Sequence, residues 1–471
     1  MVMRRELRIR RRSATLKFVV AFFAALCCCC SCSARTNVKD DGALYLSPMI
    51  REGRIDEARA ACKVRLDNST AAAVDSCAGY LTVDEALLSN LFFWFFPATN
   101  GSSGAPVVLW LQGGPGASSL FSVFNEHGPF TVDAAGVLQT RRHAWTSTHS
   151  VLYVDNPVGA GYSFTGDDSG YSSNQTDVAR NLYAALVQFF TLYPEYRQNE
   201  FYAAGESYAG KYVPAVSYAI HQNNPGAQIK INLKGLAIGN GLIDPINQMV
   251  YSEFLYQNGL IDEDGKRLFK VQEDLARDRI ANQDYRAAYA AMTRMMITTP
   301  SLYSELTDMQ NIYNVVWNRN PIPFEGGNWD RYVQGPVARA ALHVGRRQWS
   351  SVDTVYERMK YDIPMSVASW LAELLDDGRY RVLLYSGQLD AIVPYRGTVN
   401  VARALRWTGA ERFGNATRTT WYLVAMVAGY ATTYGPLTEL LVRNAGHMVP
   451  YDQPAWAHDM INRFTSGKPF D

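Results

Sequence analysis

The segment 199–220, NEFYAAGESYAGKYVPAVSYAI, constrains the fold more than any other part of this chain. An apolar run leads to Gly205, small residues surround Ser207, and apolar residues at helical spacing follow. We predict a strand, a sharp turn and a helix, because a tight turn leaves room only for small residues on either side of its central residue. The helix would place its positive N-terminal end beside Ser207, where it stabilises developing negative charge.

Similar apolar runs recur along the chain and alternate with helical patterns. Four of them run into turn-forming residues, at 105–116, 150–164, 231–245 and 379–394. Buried strands that alternate with helices are typical of a mostly parallel sheet with helices on its faces, so the predicted fold class is α/β. Between about 250 and 335 the strand signals fade and helical spacing dominates, which indicates an inserted helical cap.

The N-terminus has the pattern of a signal peptide. A basic stretch precedes an apolar run of about 15 residues, which is short for a membrane span, and small residues follow near Ala34. We predict a signal peptide at 1–34, an N-terminal arm at 35–79 and one domain at 80–471, with no later membrane span. An uncleaved signal anchor is the alternative for the leader.

Only two cysteines, Cys62 and Cys77, follow this leader. In an oxidising compartment their spacing favours one disulfide that closes a short loop, and two buried free thiols are the alternative. Four N-x-S/T sequons are candidate glycosylation sites, at Asn68, Asn100, Asn174 and Asn415.

The composition restricts the partners. A net charge of +1 gives no reason to expect nucleic acid or an acidic membrane surface. The cysteines have no zinc-binding pattern, and no cluster of metal ligands or cofactor motif appears. We therefore expect neither a metal nor an organic cofactor.

Three residues occur in the order of a hydrolase triad. A serine hydroxyl needs a base to remove its proton, and in α/β-hydrolases the order along the chain is serine, acid, histidine. After Ser207, Asp390 follows a late apolar run, and His447 follows a glycine near the C-terminus. The alternatives are a helix or turn cap for Asp390 and a buried, hydrogen-bonded histidine for His447. Both occur in the required order, which favours the triad.

A glycine-rich loop is the candidate oxyanion hole. Such a hole needs two backbone N–H groups that point at one oxygen. One would come from Tyr208, which directly follows the serine. The other would come from WLQGGPGASS, 110–119, where Gly113, Gly114 and Gly116 allow close approach of a substrate. An ordinary tight turn is the alternative.

From about residue 79 to residue 464, the sequence resembles the serine carboxypeptidase family. It is most similar to the vitellogenic carboxypeptidase-like branch. The motifs that carry the resemblance are WLQGGPGASS, NEHGPF, DNPVGAGYSF, GESYAGKYVP, IGNG, GQLDAIVP and GHMVPYDQP, in the order of the family.

The resemblance implies an α/β-hydrolase fold and a peptidase that removes one residue at a time from peptide C-termini at acidic pH, through an acyl-enzyme. It implies Ser207, Asp390 and His447 as the triad and the N–H groups of Gly114 and Tyr208 as the oxyanion hole. It also implies a site for the substrate's C-terminal carboxylate, formed by Gln112, Gly113, Glu126 and Glu206.

Two carboxyl groups at such a site would share a proton, because both cannot ionise cheaply at close range. The protonated group could then donate a hydrogen bond to the substrate's carboxylate. From the residues alone, a solvated surface charge is the alternative for Glu126.

The sequence departs from the family pattern in three places. Gln112 stands where asparagine is commonest, which adds a methylene beside the carboxylate site. Ala117 stands where a cysteine is usual. The chain after the leader also keeps fewer cysteines than its relatives, which bears on the geometry of the cap.

Other functions remain open at this stage. An acyltransferase or esterase would use the same acyl-enzyme, and a storage or carrier protein would keep the fold without turnover. The leader and sequons predict the secretory pathway, with a secreted or lysosomal or vacuolar destination. The expected partners are peptide or protein C-termini, and a homodimer is one alternative for the assembly.

Overall fold

The computed structural model describes residues 41–66, 74–100, 103–323 and 325–471. The predicted signal peptide, the start of the predicted arm and the sequon at Asn68 lie outside the described residues. In the described part of the chain, no helix is long and apolar enough to cross a membrane.

A ten-stranded sheet organises the described chain. The twelve strands found in the described residues are β1 Cys77–Asp84, β2 Ser89–Phe96, β3 Val107–Leu111, β4 Phe130–Val132, β5 Leu138–Thr140, β6 Ser150–Val154, β7 Phe201–Glu206, β8 Leu233–Gly239, β9 Arg381–Gly387, β10 Arg418–Leu423, β11 Met426–Tyr434 and β12 Leu437–Val442. Their order across the large sheet is β1-β2-β6-β3-β7-β8-β9-β12-β11-β10, while β4 and β5 form a separate hairpin. The six central strands, β6 to β12 in that order, are parallel, and antiparallel strands extend both edges.

Helices cover both faces of this sheet. The α-helices of the described residues are α1 Ser47–Arg51, α2 Ile55–Ala61, α3 Leu120–Asn125, α4 Gln175–Leu192, α5 Ala209–Asn223, α6 Pro245–Gln248, α7 Tyr251–Gln257, α8 Glu263–Ala281, α9 Tyr285–Met296, α10 Leu302–Thr307, α11 Asn328–Val333, α12 Pro336–Ala341, α13 Val352–Met359, α14 Ala368–Asp377, α15 Tyr395–Ala404, α16 Ala410–Gly414, α17 Val449–Asp452 and α18 Pro454–Ser466.

The central strands are apolar because both of their faces are covered. Every residue of β3, β6 and β7 is buried, as expected for parallel strands between two helical layers. One core packs α4 and α5 against one face of the sheet, and a second core packs α18 against the other. The predicted mostly parallel sheet with flanking helices is confirmed.

The residues before β1 join the same core. Leu46 and Ala58 are fully buried and belong to the core that contains α4 and α5. A disulfide joins Cys62, directly after α2, to Cys77 at the start of β1. The disulfide therefore attaches the two short N-terminal helices to the edge of the sheet.

A helical region separates β8 from β9. From α6 to α14 the described residues form no strand of either sheet, and α7 to α10 enclose an apolar cluster that includes Phe254, Phe269 and Met295. The predicted cap at 250–335 lies in this region, and its bounds as a domain stay a prediction.

Candidate active site

The three predicted triad residues lie beyond the carboxyl ends of parallel strands. Ser207 directly follows β7, Asp390 follows β9 and His447 follows β12. These strands lie on one side of the sheet, in the order β7-β8-β9-β12. Because the carboxyl ends of parallel strands meet at one edge, residues distant in sequence come together there, as is usual for ligand sites in α/β folds.

Ser207 lies on a strained turn that its small neighbours permit. Its φ is +62°, in the left-handed region that costs a non-glycine residue about 1–3 kcal/mol. A Cβ at Gly205 would lie 2.5 Å from the Leu111 carbonyl oxygen, and a Cβ at Gly210 would lie 2.7 Å from the Leu242 nitrogen. The structure therefore explains the glycines at both positions.

Backbone hydrogen bonds hold this turn. The Ser207 N–H donates to the Gly239 carbonyl oxygen at 3.0 Å, and the Ser207 carbonyl oxygen accepts from the N–H groups of Gly210 and Leu242, both at 2.9 Å. Ala209, where the usual elbow motif has glycine, is fully buried. Alanine is therefore accommodated there, as long as Gly205 carries no side chain.

Asp390 and His447 form a buried contact. His447 Nδ1 lies 2.7 Å from Asp390 Oδ2, and both side chains are almost completely inaccessible to solvent. Asn240 Nδ2 donates to the same Asp390 oxygen at 2.7 Å, and the backbone N–H groups of Ile392 and Val393 donate to the other oxygen. With N–H donors on both of its oxygens, the Asp390 carboxyl group can accept a hydrogen bond from His447 Nδ1, an arrangement that would leave Nε2 available as a base.

A segment of the helical region crosses both loops of this contact. The His447 N–H donates to the Tyr313 carbonyl oxygen at 2.7 Å. The N–H groups of Ala391 and Ile392 donate to the carbonyl oxygen of Ile312. The helical region thus ties the acid loop to the base loop through its backbone.

The glycine-rich loop after β3 packs directly against Ser207. A Cβ at Gly113 would lie 2.6 Å from Ser207 Cβ and 2.7 Å from the Tyr208 nitrogen. Gly114 has a φ of +110°, which a side chain would strain. No described residue accepts a hydrogen bond from the backbone N–H of Gly114 or Tyr208, so both groups are available to a ligand.

Glu126 and Glu206 are fully buried near Gln112. Gln112 Nε2 donates to Glu206 Oε1 at 2.8 Å. The Ser122 hydroxyl lies 2.9 Å from Glu126 Oε1 and 2.6 Å from Gln112 Oε1. Trp110 Nε1 donates to Ser122 Oγ at 2.7 Å. The longer amide of Gln112 is therefore held in place and points its NH₂ group at Glu206.

The remaining oxygens of the two glutamates have no protein donor. Glu126 Oε2 and Glu206 Oε2 are both buried and accept no hydrogen bond from a donor on another described residue, and the two carboxyl groups lie close enough to hydrogen-bond each other. Burial raises the pKa of Glu126 to about 7. Burial and repulsion from Glu126 raise the pKa of Glu206 well above its usual range. A proton shared between the two Oε2 atoms would satisfy both.

Sequence reasoning did not identify every residue of this site. Asn240 and Ser122 had no assigned role, although IGNG, which contains Asn240, was among the motifs that carried the family resemblance. Nothing in the sequence links Asn240 to Asp390, because the contact depends on the order of β8 and β9 in the sheet. In the described part of the chain, no cluster of three or more His, Cys, Asp or Glu residues could hold a metal ion.

Comparisons with known proteins agree with this architecture. The serine carboxypeptidase family model matches residues 67–467. The chain is 47% identical to the venom serine carboxypeptidase of Apis mellifera over 432 residues, which are 91% of each chain. It is 40% identical to the vitellogenic carboxypeptidase of Aedes aegypti over 441 residues, which are 92% of each chain.

A solved structure supports the fold. The crystal structure of Kex1(delta)p, a prohormone-processing carboxypeptidase from Saccharomyces cerevisiae, matches with a TM-score of 0.72 and 24% identity, over 87% of this chain and 96% of that one. The predicted α/β-hydrolase fold is therefore confirmed. The family match and the identities above confirm the predicted enzyme class, a hydrolase of the exopeptidase type. The chain belongs to the serine carboxypeptidase family.

Proposed function

We propose that this enzyme removes single residues from peptide C-termini through an acyl-enzyme, at acidic pH. The observation that carries the proposal is the buried pair Glu126 and Glu206, held by Gln112 beside the turn that bears Ser207. A hydrolase that recognises neutral substrates has no evident need for two buried acids at this place. A peptidase that binds a C-terminal carboxylate needs a protonated acid there.

Ser207 is the proposed nucleophile. His447 accepts the serine proton on Nε2, while Asp390 holds the ring and stabilises the imidazolium. Attack on the scissile carbonyl carbon forms a tetrahedral intermediate. The N–H groups of Gly114 and Tyr208 stabilise its oxyanion.

The proton then moves from His447 to the leaving amino group, and the last residue of the peptide departs. Water attacks the ester on Ser207, with His447 again as the base. This step releases the shortened peptide and restores the serine hydroxyl.

The preference for acidic pH comes from the carboxylate site, because substrate binding there depends on a proton on the glutamate pair. With one proton on the pair, Glu126 and Glu206 can donate a hydrogen bond to the substrate's carboxylate, and Gln112 and the Gly113 backbone complete the site. As the pH rises through the raised pKa values of the pair, the proton is lost and the substrate is repelled. We therefore expect KM for free-acid peptides to rise with pH while the triad remains competent.

The test compares a blocked dipeptide with its C-terminal amide between about pH 4 and 8. Cleavage of the free acid at acidic pH, with little cleavage of the amide, supports the proposal. Equal cleavage of both overturns the carboxypeptidase mechanism and favours the esterase or acyltransferase alternative. A serine-reactive phosphonate, with Ser207→Ala as control, identifies a storage or carrier protein if the wild type is not labelled.

We also propose that the chain enters the secretory pathway and is secreted or delivered to a lysosome or vacuole. In two of the sequons the asparagine, Asn100 or Asn415, is exposed. The Asn174 side chain instead caps α4, where Nδ2 donates to Asp177 Oδ2 at 2.9 Å. We expect glycans at Asn100 and Asn415, measured as mass lost on treatment with an amidase that removes N-glycans.

A further inference from the structure

A row of residues runs across the ends of four parallel strands beside the carboxylate site. Gln112 directly follows β3, whose Leu111 pairs with Gly205 of β7. Glu206 pairs with Gly239 of β8. Gly239 in turn pairs with Tyr385 of β9. Residues in register on neighbouring parallel strands face the same side of a sheet, so these side chains line one face.

The glycine in this row makes room for the tyrosine. A Cβ at Gly239 would lie 2.3 Å from Tyr385 Cζ and 2.4 Å from its hydroxyl oxygen. The end of the Tyr385 ring therefore occupies the space where a side chain on β8 would stand. The ring leans across β8 towards Glu206, which lies on the far side of Gly239.

Tyr385 brings an unused hydrogen-bond donor to the acidic pair. Its side chain is fully buried, and its hydroxyl oxygen has no partner among the described residues. Burial, together with the charges of Glu206 and Glu126, raises the pKa of Tyr385 well above its usual range. The hydroxyl is therefore neutral at every pH at which the enzyme would work, and it remains a donor.

The surroundings of the pair offer few other donors. Gln112 and Ser122 occupy one oxygen of each glutamate, and the two Oε2 atoms are left over. Glu206 interacts electrostatically with Glu126, Asp390, Tyr313 and Tyr385, and Glu126 interacts in the same way with His447, Arg141, Tyr153 and Tyr385. When the pair holds one proton it carries one negative charge, and Tyr385 is the unpaired hydroxyl of this group.

We propose that Tyr385 is a positioning residue of the carboxylate site, whose hydroxyl turns to donate a hydrogen bond to the Glu126–Glu206 pair once the pair has lost its shared proton. The role assigned to Tyr385 rests on the carboxylate-binding function proposed above. A donor that binds only the fully ionised pair makes the pair release its last proton at a lower pH. Tyr385 thereby limits the pH range over which the enzyme binds a C-terminal carboxylate.

The test is Tyr385→Phe, which removes the hydroxyl and keeps the ring that fills the space over Gly239. A hydrogen bond to a charged group corresponds to a shift of about one pH unit. We expect the rise of KM for a free-acid blocked dipeptide to move about one unit to higher pH. The readout is the pH at which KM rises, with kcat measured beside it at each pH.

Tyr80→Phe is the matched control. The Tyr80 hydroxyl is also buried and unpaired among the described residues, but it lies on β1 at the edge of the sheet. The Tyr80→Phe variant should leave the pH dependence of KM unchanged. A Tyr385→Phe profile that superimposes on the wild type, in an enzyme that still melts cooperatively, overturns the proposal. A shift to lower pH overturns it as well.

The two proposals fail separately. If the wild type cleaves the free acid and the amide equally well, the proposal of a carboxylate-binding site is wrong. If the wild type shows the pH-dependent rise of KM and Tyr385→Phe does not move it, only the role of Tyr385 is wrong.

Discussion

Asn240 donates a hydrogen bond to the same oxygen of Asp390 that contacts His447. Both contacts to Asp390 Oδ2 are 2.7 Å long, and Asn240 Oδ1 accepts from the Gly387 N–H at 3.1 Å. Asn240 thus attaches the acid of the proposed triad to the end of β9. Its φ of +43° shows that the backbone is bent out of the strand at this residue.

We predict that Asn240→Ala lowers kcat with little change in KM. The loss of a hydrogen bond to a charged group corresponds to about a 10- to 100-fold effect. Steady-state kinetics on a blocked dipeptide measures both constants. Asn232→Ala is the control, because the side chain of that asparagine donates to backbone carbonyl oxygens before β7. An unchanged kcat in Asn240→Ala would show that the Asp390 loop holds its position without it.

Glu206→Gln should reduce the pH dependence of substrate binding. The wild-type pair loses its proton as the pH rises through its raised pKa, which is about 7 for Glu126. Above that pH we expect KM for a free-acid peptide to rise roughly tenfold per unit in the wild type. The amide that this substitution introduces cannot ionise and can still donate a hydrogen bond, so the site carries at most the single charge of Glu126 and KM of the variant should rise much less with pH.

Glu439→Gln is the matched control for this measurement. Burial raises the pKa of Glu439 to about 7, but its charged neighbours are Arg418 and Arg403. Its replacement should leave the rise of KM in place. A rise of equal size in Glu206→Gln would mean that another group controls the pH dependence.

The same glutamate should make the folded state less stable as the pH rises. The pKa of Glu206 is raised in the folded protein, so the unfolded chain loses this proton first, from about pH 4.3 upwards. Between that pH and the folded pKa, the free energy of unfolding falls as the pH increases. Glu206→Gln should remove this part of the fall, measured by urea denaturation at pH 5 and pH 7.

A second buried network joins the nucleophile helix to the segment before α14. Lys211 and Asp362 are buried, and Lys211 Nζ lies 3.3 Å from Asp362 Oδ2. The hydroxyl of Tyr208 also donates to Asp362 Oδ2, and Gln175 Nε2 donates to it at 2.7 Å. The segment before α14 is therefore connected to the residue whose N–H is proposed for the oxyanion hole.

We predict that Lys211→Met lowers the free energy of unfolding by about 3–5 kcal/mol, because it leaves the buried Asp362 charge unpaired. Adding Asp362→Asn should recover much of this loss. Lys270→Met is the control, since Lys270 and Asp274 form an ion pair in which each side chain is 55% exposed, and such pairs contribute about 0–1 kcal/mol. Urea denaturation of the wild type, the two single variants and the double variant measures these free energies of unfolding. Equal losses at Lys211 and Lys270 would contradict the buried pair.

The Cys62–Cys77 disulfide should stabilise the attachment of the N-terminal helices. Its two cysteines are 15 residues apart, and closing a loop of that size contributes about 3 kcal/mol. The double variant Cys62→Ala, Cys77→Ala should lose about this amount at neutral pH. Wild type treated with a reductant should unfold like the variant. If reduction leaves the unfolding midpoint unchanged, the disulfide is absent from the purified protein.

Local sequence determined the parts of this protein that depend on near neighbours. The small residues around Ser207 specify the tight turn, since a Cβ at Gly205 or Gly210 would collide with the backbone. The apolar runs of β3, β6 and β7 specify strands buried on both faces. Chain order predicted Asp390 and His447 as partners, because α/β-hydrolases carry their acid and base after late strands, and the structure places the two in contact.

Tertiary structure decided the contacts between residues on different strands. Only the family resemblance predicts that Glu126 and Glu206 form a pair, and their contacts depend on α3, which brings Ser122 beside Gln112 after β3. The contacts of Asn240 with Asp390, of Lys211 with Asp362 and of Tyr385 with the space over Gly239 depend on strand order and register. Side-chain spacing along the chain specifies helices and strands, whereas strand order and register are set by burial across the whole sheet, which no local pattern contains.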